Sequence, residues 1–112
     1  MHKGWIYIST KDKDHCLFNK PLIWHLWVYL RLKASTEFID FHLENLKYSL
    51  MPGQLFTNLQ QLKISTGLSI QNIRTALRTL ENHKMIARQV FRNGTLITIN
   101  RDYGELMNVE AA

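Results

Sequence analysis

Cysteine and long apolar runs are scarce in this sequence, and each scarcity excludes a class of protein. Cys16 is the only cysteine, so an intrachain disulfide is impossible and a reducing compartment is expected. No run of about 18 apolar residues occurs, which argues against a membrane-spanning helix. The chain begins Met-His-Lys-Gly-Trp and lacks the apolar region of a secretory signal. We therefore expect a cytoplasmic protein without membrane contact.

The usual motifs of catalysis and metal binding are also missing. Five histidines are scattered along the chain, and none forms a pair with the spacing of a zinc site. There is no glycine-rich phosphate loop and no nucleophile elbow. Asp12, Asp14 and Asp40 fit the pattern of solvated carboxylates. We accordingly predict no catalytic residue, no metal and no cofactor, and we do not expect an enzyme.

Acidic residues are rare in one part of the chain, although the overall composition is ordinary. Apolar residues make up 46% and charged residues 21%, as in a typical globular protein. The 112 residues are enough for one domain, predicted to span 1–112. Between positions 57 and 94 there are six Lys or Arg residues and one acidic residue, Glu81. The net charge of the whole chain is +5. Such segregation is typical of a nucleic-acid-binding surface, and general solubility is the alternative explanation.

This basic part of the chain begins with two helices joined by a tight turn. Thr57 followed by Gln60 has the spacing of a capping box, which predicts that Thr57 starts the first helix. Gly67 can adopt the left-handed conformation that ends it. Ser69 can then cap the second helix through its hydroxyl. A helix-turn-helix is therefore predicted over about residues 57–83.

The second of these helices has one apolar and one polar face. Its apolar residues recur at helical spacing; they are Ile70, Ile73, Ala76, Leu77 and Leu80. Its polar face carries Gln71, Asn72, Arg74, Thr75 and Arg78. Gln, Asn and Arg can form paired hydrogen bonds with the edges of adenine or guanine in a major groove. A merely solvated helix face is the alternative interpretation.

Two β-prone segments follow directly and predict a hairpin over about residues 85–100. The first runs from Met85 to Phe91 and the second from Thr95 to Asn100. They are separated by Arg92-Asn93-Gly94, and Asn-Gly is a strong hairpin signal. A helix-turn-helix followed by a hairpin is the winged form of the motif. Arg88 and Arg92 would place positive charge on this wing.

The first half of the chain supplies further elements. Residues 4–8 are β-prone and predict a strand. Lys20-Pro21 opens a helix that runs to about Ala34, since proline suits a first helical turn. This helix is apolar nearly all round, so we expect it to be the most buried element. Residues 38–42 and 46–50 predict a small additional β-hairpin, and Met51-Pro52-Gly53 predicts a turn. The predicted fold is thus α+β: a winged helix-turn-helix with three to four helices, a C-terminal wing and a second hairpin.

The order of these segments resembles a known family. The segments that carry the resemblance are Gly4-Trp5-Ile6, the helix Pro21 to Ala34, Pro52-Gly53-Gln54-Leu55, residues 57–81 and Gly94-Thr95-Leu96-Ile97-Thr98-Ile99. Together they resemble the N-terminal winged-helix domain of phage and bacterial replication-initiation proteins of the DnaD-like, replisome-organizer type. The resemblance covers roughly residues 4–103.

This resemblance implies origin DNA binding, self-association and loading of replication machinery through a further domain. The chain departs from the family pattern at Lys63, where a small residue usually packs between the two helices. It also departs at Lys84, where a glycine commonly follows the second helix. A small phage or plasmid regulator, including a repressor or a host-defence antagonist, is an equal possibility for a chain of this size.

The leading hypothesis is therefore a DNA-binding protein whose partner is double-stranded DNA. Gln71, Asn72, Arg74 and Arg78 would contact bases. Phosphates would be held by Lys63, Ser69, Thr75 and Thr57. Arg88, Arg92 and Asn93 would be the contacts from the wing. Because one winged helix offers an interface of only about 600–1,000 Å², we expect a homo-oligomer.

The second hypothesis is a protein-interaction or self-association module, including a phage anti-defence protein. In that case the helix around Trp24 and Tyr29, or the segment at Trp5, would contact a replication or host-defence partner. Arg74 and Arg78 separate the two hypotheses, because only DNA binding requires their charge.

Overall fold

The computed structural model describes Ile6 and residues 8–100. Within these residues the chain is α+β, with three α-helices and two small antiparallel sheets. A short 3-10 helix, Thr10–Asp14, comes first. The elements that follow are α1 Pro21–Lys33, β1 Ile39–Leu43, β2 Leu46–Leu50, β3 Gln54–Thr57, α2 Leu59–Thr66, α3 Ile70–Asn82, β4 Ile86–Phe91 and β5 Gly94–Ile99. The strand predicted at residues 4–8 falls largely outside the described residues, as does the tail after Asn100.

Helices α2 and α3 form as expected, except at the first residue. Asn58 caps α2, because its side-chain oxygen accepts the N–H of Gln61 at 2.8 Å. The predicted capping box at Thr57 is wrong: Thr57 is the last residue of β3, where it pairs with Thr95 of β5 and is buried. Gly67 ends α2 with φ +78°, the left-handed conformation predicted for it. Ser69 caps α3 as predicted.

Three strands form the larger sheet, in the order β3-β5-β4, with all pairs antiparallel. The hairpin β4–β5, called here the terminal hairpin, was predicted, and a two-residue turn of Arg92 and Asn93 joins its strands. Strand β3 was not predicted, because it pairs with a strand some forty positions later in the chain (Gln54 with Thr98). Gly94 is needed where the turn meets β3. A Cβ on Gly94 would lie 2.8 Å from the carbonyl oxygen of Thr57 and 2.9 Å from the Phe56 ring.

The core lies between the helices and one face of this sheet. Its fully buried large side chains are Leu26, Leu30, Leu62, Ile73, Leu80, Met85 and Ile97. Helix α1 was predicted to be the most buried element; it contributes three buried residues, one fewer than α3. Leu22 and Leu32 of α1 remain 47% and 53% exposed. Burial depends on the elements that pack on a helix, and the composition of α1 does not reveal these.

On the other face of the sheet, the hairpin β1–β2, called here the first hairpin, packs against Phe56 and Phe91. Its turn is Glu44-Asn45, with positive φ at both residues, the conformation of a type I′ turn. Tyr48 of β2 stacks on Phe41 of β1, with ring centroids 5.5 Å apart. The Tyr48 ring also lies 5.2 Å from that of Phe56 in β3 and 6.0 Å from that of Phe91 in β4. This aromatic cluster joins the first hairpin to the sheet that carries the terminal hairpin.

Candidate nucleic-acid interface

Helix α3 presents its polar face outward. Ile73, Ala76, Leu77 and Leu80 are buried in the core. The side chains on the opposite face are all exposed: Gln71, Asn72, Arg74, Thr75 and Arg78. The apolar stripe predicted from the sequence is thus confirmed, although Ile70 at its start is only half-buried. These five side chains include amide and guanidinium groups and no acid, so they can donate hydrogen bonds to an electron-rich partner.

The turn before α3 exposes further polar groups. The Ser69 hydroxyl accepts the N–H of Asn72 at 3.1 Å and so caps the helix, which leaves its own O–H available as a donor. Lys63 is exposed in the last turn of α2, while its carbonyl accepts the N–H of Gly67 at 2.9 Å. Thr57 cannot contact a ligand in the way predicted, since only 9% of its surface is exposed.

An open groove of about 460 Å³ lies between α3 and the tip of the terminal hairpin. Arg74 of α3 and Arg92 of the hairpin turn both line it, together with Asn93. Asn58 and Gln60 from the start of α2 complete its polar lining. No Asp or Glu is among the described residues that line this groove. Of the predicted cations, the structure therefore brings Arg74 and Arg92 together at this groove, and the groove lining includes neither Arg78, Arg88 nor Lys63.

Asn58 and Gln60 line the groove, although the sequence pattern did not predict them as members of this site. The signal was present, because an Asn directly before the periodic apolar residue Leu59 is a strong N-cap. Choosing Thr57 as the cap placed the start of α2 one residue too early. With Thr57 as the cap, Asn58 would belong to the first turn of α2, and its exposed position at the groove would not be expected.

The cations of this surface are not neutralised by the rest of the described chain. Lys63, Arg74, Arg78 and Arg92 make no side-chain hydrogen bond or ion pair with any described residue. Cations placed close together without acidic partners raise the local concentration of anions. A polyanion is therefore the chemistry that fits this surface best.

Arg88 differs from the other predicted cations. Its Nη2 and Nε atoms lie 2.9 and 3.2 Å from Oε1 of Glu81 in α3. The Arg88 side chain is 26% exposed and that of Glu81 38%. Arg88 thus lies at the base of the terminal hairpin in an intramolecular ion pair, away from the turn that carries Arg92.

The aromatic residues considered as partner contacts are engaged within the fold. The Trp24 ring lies 5.5 Å from that of His15 and 5.4 Å from that of Phe18, measured between centroids. Tyr29 is half-buried against the core. Both side chains are therefore partly buried within the fold.

Two other kinds of site were sought in the described part of the chain. Residues 8–100 contain no group of three or more His, Cys, Asp or Glu side chains that could hold a metal ion. None of the helices there combines the length and apolarity needed to cross a membrane.

Compared with known proteins, the chain matches no family model, no curated protein and no solved structure. Because these comparisons give no match, the kind of binding site is inferred from its geometry. It is an acid-free cationic groove between an amphipathic helix and a β-hairpin, in an α+β fold.

Proposed function

We propose that this protein is a winged-helix DNA-binding protein that reads duplex DNA with α3 and uses the terminal hairpin as its wing. One observation carries the proposal. Arg74 of the helix and Arg92 of the hairpin line the same groove, and no described acid neutralises either of them. A DNA duplex carries repeating negative charge that such cations can neutralise. Its major groove is wide enough to admit a helix.

The reading helix has suitable dimensions and chemistry. Its 13 residues span about 20 Å, and a major groove about 12 Å wide admits one helix. Arg74 and Arg78 can donate paired hydrogen bonds to guanine, and Gln71 and Asn72 can pair with adenine. Phosphates alongside would accept hydrogen bonds from Lys63, Ser69 and Thr75.

The terminal hairpin supplies contacts on one flank of the helix. Arg92 and Asn93 form its turn and would hold the adjoining backbone or minor groove. Arg88 was predicted as a third contact from the hairpin. It has less to offer DNA than Arg92, because two of its N–H groups are directed to Glu81.

The biological role that we propose is replication initiation of the phage or plasmid type, with transcription regulation as the alternative. The resemblance of residues 4–103 to DnaD-like domains supports the former. One such module covers only about 600–1,000 Å², so we propose that the protein binds DNA as a homo-oligomer.

Selection of bound duplexes from a random pool, at two salt concentrations, tests the proposal. We expect a sequence motif to be enriched. If four to six phosphates are neutralised, log K should fall against log salt with a slope of about −4 to −5. A flat salt response combined with no enriched motif would contradict DNA binding.

The double variant Arg74→Ala/Arg78→Ala tests the residues assigned to bases. Each lost bidentate contact should weaken binding to the selected duplex by about 1–3 kcal/mol. Lys33→Ala/Lys47→Ala is the matched control, because it removes the same charge from exposed positions that do not line the groove. Equal weakening in both double variants would reduce the role of Arg74 and Arg78 to general electrostatics.

A second candidate function, a protein-interaction module, is favoured by the first hairpin. Phe38 beside it and Leu46 within it are each 56% exposed, and a protein partner docked on this hairpin would cover them. Sedimentation of the Arg74→Ala/Arg78→Ala variant separates the functions. Loss of DNA retention with an unchanged oligomeric state supports DNA binding, and unchanged retention supports the interaction module.

A further inference from the structure

The single acid of the basic segment is directed at the terminal hairpin. Between residues 57 and 94 only Glu81 carries a negative charge, and its Oε1 accepts both hydrogen bonds from Arg88. These bonds link α3 to β4 across their contact. The direct chain connection between the two elements is the short turn of His83, Lys84 and Met85. The side-chain pair is therefore a polar connection between helix and hairpin, in addition to the buried contacts that both make in the core.

The pair lies in line with the cations of the reading helix. Residues 74, 78 and 81 follow one another at spacings of four and three, so they share one side of α3. Arg88 is paired across the sheet with the buried Ile97, and it lies four residues before the hairpin turn. At about 3.3 Å per strand residue, the ion pair is roughly 13 Å from Arg92. A tilt of β4 at this pair would displace the hairpin turn and so change the width of the groove.

We infer that Glu81 and Arg88 are positioning residues that set the angle between the reading helix and the hairpin, and that neither contacts DNA. This inference rests on the proposed DNA-binding function. Charge-assisted hydrogen bonds are short and roughly twice as strong as neutral ones, and both side chains are partly buried. An acid on a DNA-binding surface otherwise opposes binding, so its presence here requires a structural reason.

Removing the negative charge of Glu81 should weaken binding to the selected duplex, whereas simple electrostatics alone would strengthen it. Glu81→Gln makes the protein more positive, yet it removes the charge that strengthens the hydrogen bonds between α3 and the hairpin. We expect it to weaken binding to the selected duplex on the order of tenfold, the effect of about 1.4 kcal/mol. Binding to random duplex should be unchanged or stronger, because that binding depends on net charge. Selectivity therefore falls.

Arg88→Gln distinguishes positioning from contact. A lost phosphate contact would reduce the steepness of the salt dependence by about 0.9. We expect Arg88→Gln to lower affinity for the selected duplex while leaving the salt slope at its wild-type value. Arg92→Gln is the matched control, since it removes one hairpin arginine that is not paired and should reduce the slope.

The exchanged pair Glu81→Arg/Arg88→Glu completes the experiment. It restores an ion pair across the same contact, so we expect it to recover most of the selectivity that either single exchange loses. The inference is overturned if Glu81→Gln tightens binding to the selected duplex, or if Arg88→Gln lowers the salt slope as Arg92→Gln does. Failure of the exchanged pair to recover selectivity, in a variant that folds, also counts against it.

A separate measurement tests the Glu81–Arg88 pair if the proposed DNA binding fails. If the wild-type protein binds no duplex, DNA binding is rejected, and the connection is tested by amide hydrogen exchange of β4. Both Glu81→Gln and Arg88→Gln should then speed exchange in β4 while leaving α1 unchanged, and Arg92→Gln should leave both unchanged. Unaltered β4 exchange in all three variants would reject the connection.

Discussion

Lys84 has an unusual backbone for its residue type. It directly follows α3 and His83, and its φ is +60°. Its N–H donates to the carbonyl of Glu81, and the N–H of Met85 donates to that of Leu80, each at 3.0 Å. These two bonds form a Schellman motif, which normally has a glycine at the left-handed position. Lys84 therefore holds a strained left-handed backbone at a position that favours glycine.

Replacing Lys84 with glycine should relieve this strain. Left-handed backbone costs an L-residue about 1–2 kcal/mol, so we expect Lys84→Gly to raise the free energy of unfolding by about 1 kcal/mol. Urea unfolding measures the change. Lys84→Ala is the control, since it removes the same ammonium group but keeps the side-chain Cβ. Equal stabilities of the two variants would show that charge, not backbone, determines the effect.

At the scale of elements, the sequence predicted the helix starts and ends that depend on neighbouring residues alone. Gly67, Ser69 and Pro21 act within one turn of the chain, and all three have the roles expected of them. Strand β3 and the buried Thr57 depend on pairing with β5, which no local pattern reveals. The groove depended on both kinds of information: the sequence identified Arg74 and Arg92, and only the fold brought them together.

Tyr48 should stabilise the packing of one element on another. It contacts three aromatic rings in three different strands, β1, β3 and β4. Aromatic pairs add about 0.5–1.5 kcal/mol beyond buried area, so we expect Tyr48→Ala to lower the free energy of unfolding by about 2 kcal/mol. Chemical denaturation provides the measurement.

Lys47→Ala is the matched control for Tyr48→Ala. It changes the neighbouring residue on the opposite face of β2, where Lys47 forms an exposed ion pair with Asp40 at 3.7 Å. Such pairs contribute about 0–1 kcal/mol. If Tyr48→Ala were no more harmful than Lys47→Ala, the first hairpin would not depend on the aromatic cluster.

At the scale of the whole molecule, His15 joins the N-terminal part of the chain to the helices. Its Nδ1 accepts the N–H of Leu17 at 2.9 Å, and its ring lies near Trp24 of α1 and His83 after α3. Burial lowers the pKa of His15 below its ordinary value of 6.5, and the charge of His83 lowers it further, against an opposing effect of Asp12.

This shift predicts acid sensitivity. Because the pKa of His15 is lower in the folded state, the unfolded chain takes up the proton first. The stabilisation is complete above about pH 6.5 and is lost as pH falls through the folded-state pKa. Urea unfolding across pH 5–8 should show this loss. His15→Asn, whose amide oxygen can accept the same N–H without titrating, should show less of it; an identical loss would exclude His15 as the cause.

The cationic groove draws its lining from the start of α2, from α3 and from the hairpin turn, segments that are far apart in the chain. Unfolding disperses them, so occupancy and folding are thermodynamically linked. A ligand at a concentration one hundred times its Kd adds about 2.7 kcal/mol to the stability of the form that binds it. If the protein binds DNA as proposed, its melting temperature reports on the target: among duplexes at equal concentration, the one bound most tightly should raise it furthest.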